Sequence, residues 1–402
     1  MKKSILLLLL SQVLLTSILA QDPVYPFKPK DKKIITYHAS NYYDWAPDLA
    51  KNLTSMQQNR PYMNGVAFHV GSNYGFPNLA FNNEVWTETS LKFTDLETIK
   101  SKWTTLTDNF VLVWAHSRNV NPDFFNDNLW AQIIKNTEIL GKAVKTAGCK
   151  GIMFDAEFYS AGETYSPWWY SKSNTKGSPP YTDKTFEIVK AKARQRGKEY
   201  VKALQVHMPS ITILTTFLYG YCWDYCYGDI QKQPDSEYAL LPAFADGMLE
   251  ALNAESLLID GNETSYYINS SREHVENSDA SYNHVRLEAT PKVCDPALLS
   301  KWHKQGQIAM APYLELCYNR YNPQSWSTPE YQSKWMMHNV YNGLLTTDQY
   351  VWLYIENTNF WTGKGAPAGV DMNADVNTAV SKFRNNEALG FDMYTNGGGQ
   401  AQ

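Results

Sequence analysis

One unit, a short apolar strand followed by an amphipathic helix, recurs eight times along this chain and constrains its fold more than any other feature. β-Branched or aromatic runs are expected to form strands at Lys33–His38, Gly65–Val70, Phe110–His116, Gly151–Glu157, Ile211–Tyr219, Ser256–Asp260, Gln307–Glu315 and Tyr350–Glu356. The stretches between them carry helix punctuation. Thr94 and Glu97 make a capping-box pair, and Gly148 closes a long amphipathic segment beginning near Asn126. Asp295 and Thr328 each precede a proline at the first helical position. Strict alternation of this kind predicts an α/β fold, a single-domain (β/α)₈ TIM barrel over residues 33–402. A doubly wound sheet would need a glycine-rich turn after the first strand, and none is present.

The first twenty residues stand apart from that pattern. Lys2 and Lys3 precede the apolar run Ile5–Leu10, and Ala20 offers a small cleavage residue, so 1–20 reads as a signal peptide and 21–32 as a leader. The expected location is secreted or periplasmic. A net charge of −4 spread over 402 residues argues against a nucleic-acid partner, and no later run is apolar and long enough for a membrane span. No cofactor or metal motif, HExxH or CxxC, appears. Cys222 and Cys226 flank what reads as a tight polar loop and could bridge in an oxidising compartment; Cys149, Cys294 and Cys317 read as buried thiols.

Three connections exceed the structural minimum: Tyr159–Pro180, Gly261–Pro291 and Asn357–Gly369. Each follows a strand and so belongs to the carboxyl face, where barrel enzymes keep their sites. The second carries sequons at Asn262 and Asn269 and reads as a wall or lid over the mouth.

Strand side chains alternate between faces with period two, which assigns each strand end a direction. On this count Asp155 and Glu157 point into the barrel, as do His38, His69, His116, Glu315, Trp352, Tyr354 and Glu356. Tyr37 then faces the helices, Tyr219 belongs to the inward set of the fifth strand, and Asp260 ends the sixth with Glu263 just beyond. Any one such residue is ordinarily a satisfied buried polar group; their convergence is not explained by a floor that needs only apolar layers. The result is an acidic funnel rimmed by aromatic rings, in a chain that is 14% aromatic. Sugars suit it: their apolar faces stack on rings, their hydroxyls seek carboxylates, and two carboxyl groups cleave the glycosidic bond.

FDAE at Phe154–Glu157, IDGNE at Ile259–Glu263 and WLYIEN at Trp352–Asn357 resemble the carboxylate-bearing strand ends of (β/α)₈-barrel glycoside hydrolases. The resemblance implies hydrolysis of a poly- or oligosaccharide substrate by an acid/base pair. Glu157 would be the acid, helped by Asp155, with Glu356 as partner and Glu315 next in line. His38, His69, His116, Tyr219, Asp260, Glu263, Trp352 and Tyr354 would bind substrate, Asp260 or Glu263 standing in as partner if needed. Two alternatives remain open here: a metal-dependent barrel hydrolase and a non-catalytic carbohydrate-binding barrel.

Overall fold

The structure is a computed structural model. It describes residues 31–38, 45–71, 80–115, 117–118, 120–157, 164–171, 181–268, 281–316 and 328–393. The signal peptide and most of the leader, His116, Cys317, the sequon at Asn269 and most of the loop after Glu157 lie outside them. Among the described residues no helix is long and apolar enough to cross a membrane.

Eight strands run parallel in one sheet: β1 (Lys33–His38), β2 (Gly65–Phe68), β3 (Phe110–Trp114), β4 (Gly151–Asp155), β5 (Thr212–Thr215), β6 (Leu257–Asp260), β7 (Gly306–Ile308) and β8 (Tyr350–Ile355). β8 pairs with β1 along its whole length. It also meets the segment that continues β7: the amides of Trp352 and Tyr354 donate to the carbonyls of Met310 and Pro312 at 3.0 Å each. The sheet therefore closes, which removes every edge. This is the (β/α)₈ barrel that the alternation predicts.

Each strand is followed by a helix of the outer ring: α1 (Ala46–Asn59), α2 (Phe93–Lys102), α3 (Asp127–Ala147), α4 (Phe186–Gln205), α5 (Leu241–Ala251), α6 (Leu299–Gln305), α7 (Pro329–Thr346) and α8 (Met372–Arg384). Asn126 caps α3 through the Leu129 amide, Gly148 ends it in the left-handed region, and Thr328 caps α7 through Tyr331. The capping box at Thr94 does not form. A turn closed by Thr87 and Ser90 delivers the chain into helix at Phe93, so Thr94 already lies inside α2.

Behind β4 the ring packs tightly. Phe154 meets Tyr200 of α4 at 5.7 Å and Phe244 of α5 at 6.2 Å between ring centroids. α4 and α5 approach at two glycines: a Cβ on Gly197 would stand 2.0 Å from the Phe244 carbonyl, and one on Gly247 2.0 Å from that of Arg194. At the opposite end from the mouth, Phe110 and Tyr350 meet edge to face at 5.4 Å inside the barrel, and the Tyr350 hydroxyl donates to Asp108 at 2.9 Å. The floor is sealed by rings.

Candidate active site

The register fixes which residues enter the barrel. β1 pairs Ile35 with Trp352 and Tyr37 with Tyr354, so Tyr37 shares the inward face of those rings. This reverses the expected parity of the first strand. His38 points the other way: its Nε2 accepts the Phe360 amide at 3.3 Å and its ring lies 6.5 Å from Trp361. Tyr37 takes the inward place, and its hydroxyl donates to Asp155 Oδ2 at 3.0 Å.

Asp155 is the hub of the mouth. Its Oδ1 accepts the Thr216 hydroxyl at 3.3 Å and the Glu157 amide at 3.0 Å, so the buried carboxyl group also fixes the backbone of the next acid. Burial first, and the charge of Asp155 second, push the Tyr37 hydroxyl well above its usual range, which keeps it a donor. Trp114 Nε1 reaches the Tyr37 oxygen from β3 at 3.5 Å.

The carboxyl group brought into the electrostatic reach of Glu157 is that of Glu263. Its backbone turns sharply at Asn262, which is left-handed at φ 50°, and its amide donates to the Thr216 carbonyl at 3.1 Å. The floor steadies the same turn: Trp352 Nε1 donates to the Gly261 carbonyl at 2.8 Å. Desolvation, then the charges of Glu157 and Asp155, raise the Glu263 carboxyl well above the carboxylate range. The Glu263 carboxyl is therefore biased toward its protonated form by burial and by the neighbouring acids. Both Glu157 and Glu263 are half-buried.

The other expected carboxylates have different surroundings. Glu315 is fully buried and accepts the amides of Glu356, Asn357 and Thr358, together with Asn357 Nδ2. Its oxygens are occupied in holding the turn after β8. Glu356 is half-buried and accepts the Tyr354 hydroxyl at 3.0 Å. Asp260 faces away from the barrel, because Ile259 and Gly261 take the inward positions on either side of it. It accepts the amides of Leu218, Gly220 and Asn262, and burial raises it to about 6. Tyr219 also points outward, donating to Asp246 at 2.8 Å and packing on Trp302.

His69 does enter the mouth region, held between Trp45 at 4.6 Å and Trp114 at 4.8 Å. Burial lowers it to about 3, so the imidazole is neutral at any ordinary pH. Trp352 and Tyr354 lie inside as expected, and Tyr266 stacks on Tyr354 at 4.8 Å.

Sequence reasoning missed one wall. The stretch read as a tight polar loop around Cys222 and Cys226 is a short helix, Tyr219–Tyr225, and both cysteines are buried thiols. It presents Tyr221 and Tyr225 one turn apart, rings at 4.6 Å, beside Phe217 and Tyr238. Glu157 and Glu263 contribute to the raised hydroxyls of Tyr221 and Tyr238, so this wall borders the acid pair. The signal was the aromatic pair at i and i+4. Asn262, first of the sequons, is buried with its Nδ2 on Met310 Sδ at 3.4 Å, which leaves no room for a glycan. Among the described residues no group of three His, Cys, Asp or Glu side chains is placed to hold a metal ion.

No family model matches the chain, and no curated protein does. Solved structures share its outline remotely. The chain is similar to a β-mannanase from the blue mussel Mytilus edulis at TM-score 0.43 and 10% identity, covering 90% of this chain and 94% of that one. It is similar to a broad-specificity GH5-4 endoglucanase from an uncultured bacterium at TM-score 0.46 and 7% identity, covering 88% and 95%. A sugar phosphate isomerase/epimerase described as putative, from Anabaena variabilis, gives TM-score 0.44 and 9% identity, covering 88% and 98%. Likenesses this distant do not assign chemistry, which has to come from the site.

Proposed function

We propose that the protein is a glycoside hydrolase in which Glu263 is the general acid and Glu157 its charged partner. The observation that carries this reading is the desolvated Glu263 carboxyl, raised further by Glu157 and Asp155, at the mouth of an aromatic-lined barrel. Two carboxyl groups whose surroundings drive their proton affinities apart are the equipment for glycosidic cleavage. Glu263 would give its proton to the glycosidic oxygen as the bond to the anomeric carbon breaks. Glu157 would attack that carbon or take a proton from the attacking water. Either way one water is consumed, and Glu263 is reprotonated before the next turnover. Asp155, held by Tyr37 and Thr216, would fix Glu157 and keep the pair's charge unequal. The substrate would be a poly- or oligosaccharide, its rings against Tyr221, Tyr266 and Tyr354. With the amino-terminal 1–20 segment read as a signal peptide, the site of action would be outside the cytoplasm.

The test is a panel of soluble mannan, β-glucan, xylan and starch, together with aryl glycosides that carry good leaving groups. Glu263→Gln should lose about 10²–10⁴-fold on the natural glycan and much less on the aryl glycoside, which needs little protonation. Glu157→Gln should slow both. A Glu263→Gln protein as active as wild type on the natural glycan would overturn the assignment.

A further inference from the structure

The connection between β5 and α5 contains a second site that the acid pair does not use. The helix Tyr219–Tyr225 ends at Cys226, and the next residue, Tyr227, is left-handed at φ 53°. Its amide donates to the Asp224 carbonyl at 2.8 Å, and Gly228, also left-handed at φ 68°, returns to Trp223. Helix-closing turns of this kind place glycine or asparagine where Tyr227 stands. A bulky ring in that conformation is an outlier. Burial does not offset the strain, because Tyr227 is 83% exposed. Strain retained on a solvent-facing aromatic points to use of its face.

The ring has a built surround. Lys232 Nζ lies 5.6 Å from its centroid. With Tyr225, Asp235, Ser236 and Glu237, the two residues line a cleft of about 270 Å³. Tyr225 is the party wall between this cleft and the acid pair: it stacks on Tyr221 at 4.6 Å, and Tyr221 stands in the field of Glu263 and Glu157. We propose that the cleft is a distal subsite holding a further neutral sugar unit of the same glycan chain whose bond lies between Glu157 and Glu263. Tyr227 offers a plane for the sugar's C–H face, while Lys232, Asp235 and Glu237 offer partners for its hydroxyls. Two carboxylates against one ammonium make the cleft unsuited to a phosphorylated or sulfated unit.

This inference rests on the hydrolase reading, and one variant separates the two. Tyr227→Gly removes the ring and supplies the residue the turn prefers, so its melting temperature should equal or exceed that of wild type. On whichever panel glycan is cleaved, the ratio of kcat/KM for the hexasaccharide to that for the disaccharide should fall about fivefold or more, chiefly through KM. Tyr227→Phe should restore it. The same proteins are run through gels cast with soluble mannan, β-glucan, xylan and starch. Cleavage with an unchanged ratio overturns the subsite and leaves the hydrolase reading intact. No cleavage, but retardation of wild type and not of Tyr227→Gly, overturns the hydrolase reading and supports the subsite. No cleavage and identical migration overturn both. A Tyr227→Gly protein that melts below wild type overturns the argument from strain.

Discussion

Thr216 serves Asp155 and Glu263 at once: its hydroxyl donates to Asp155 Oδ1 at 3.3 Å, and its carbonyl accepts the Glu263 amide at 3.1 Å. The acids of β4 and of the turn after β6 are therefore referenced to one residue at the end of β5. The spacing between the Asp155 and Glu263 segments is thus tied to one residue, Thr216, rather than to two independent loops.

Asp155 is anchored from the other side by Tyr37, and removing that hydroxyl should be felt in both rate and stability. Tyr37→Phe keeps the buried ring and deletes one hydrogen bond to a carboxylate, of the kind worth about 1.5–3 kcal/mol. A drop in kcat of about tenfold or more is expected, with the melting temperature lowered by roughly a few degrees from that loss and the pH–rate profile displaced. Steady-state kinetics across pH on any cleaved glycan checks it.

Glu315 and Glu356 should part company when mutated. Glu315→Ala strands the amides of Glu356, Asn357 and Thr358 in a buried turn, at a cost of about 1–3 kcal/mol for each group left unpaired. Glu356→Gln replaces a half-buried carboxylate that accepts from Tyr354, and the amide oxygen can still accept that bond. Urea unfolding should show Glu315→Ala severely destabilised or insoluble, and Glu356→Gln close to wild type.

Asp246 and Asp260 should make stability depend on mild acid. Burial raises both to about 6, above the unfolded value near 3.9. Their contribution is fully present below pH ~4 and is lost as pH rises through ~6, because the folded state holds protons that the unfolded chain has released. Asp246→Asn keeps an acceptor for the Tyr219 hydroxyl while abolishing the titration. It should flatten the dependence of unfolding free energy on pH between about 4 and 6, by on the order of 2–3 kcal/mol. Denaturant melts at several pH values measure this.

The α4–α5 crossing should tolerate no side chain. Gly197→Ala would set a methyl 2.0 Å from the Phe244 carbonyl, a contact that only backbone movement relieves. Overpacking of this type costs about 1–3 kcal/mol or more. The expected result is a lower melting temperature by calorimetry, with Phe154 of β4, which packs on Phe244, transmitting the shift.

The barrel was legible because strand and helix periods alternate along the chain; α3 begins and ends, and α7 begins, where their caps place them. Direction at the strand ends was not. Barrel strands are apolar on both faces, so the pattern of a strand such as KIITYH cannot say whether Tyr37 or His38 looks inward. Register across the sheet decides, and pairing with Trp352 and Tyr354 puts Tyr37 inside. Asp260 went the same way: an acid at a strand end read as a site residue, although loop amides claim it from the outer side. Asp155 and Glu157 were legible as a pair, whereas the nearness of Glu263 depends on a left-handed turn at Asn262 that no periodicity encodes.

The ring-sealed floor makes the barrel a cup and not a tube. With Phe110 and Tyr350 meeting at the far end of the described barrel, a bound chain would enter and leave by the mouth. If the acids cleave a glycan as proposed, its fragments would leave past the same aromatic walls, so release and not only chemistry would set how fast the site could be used again.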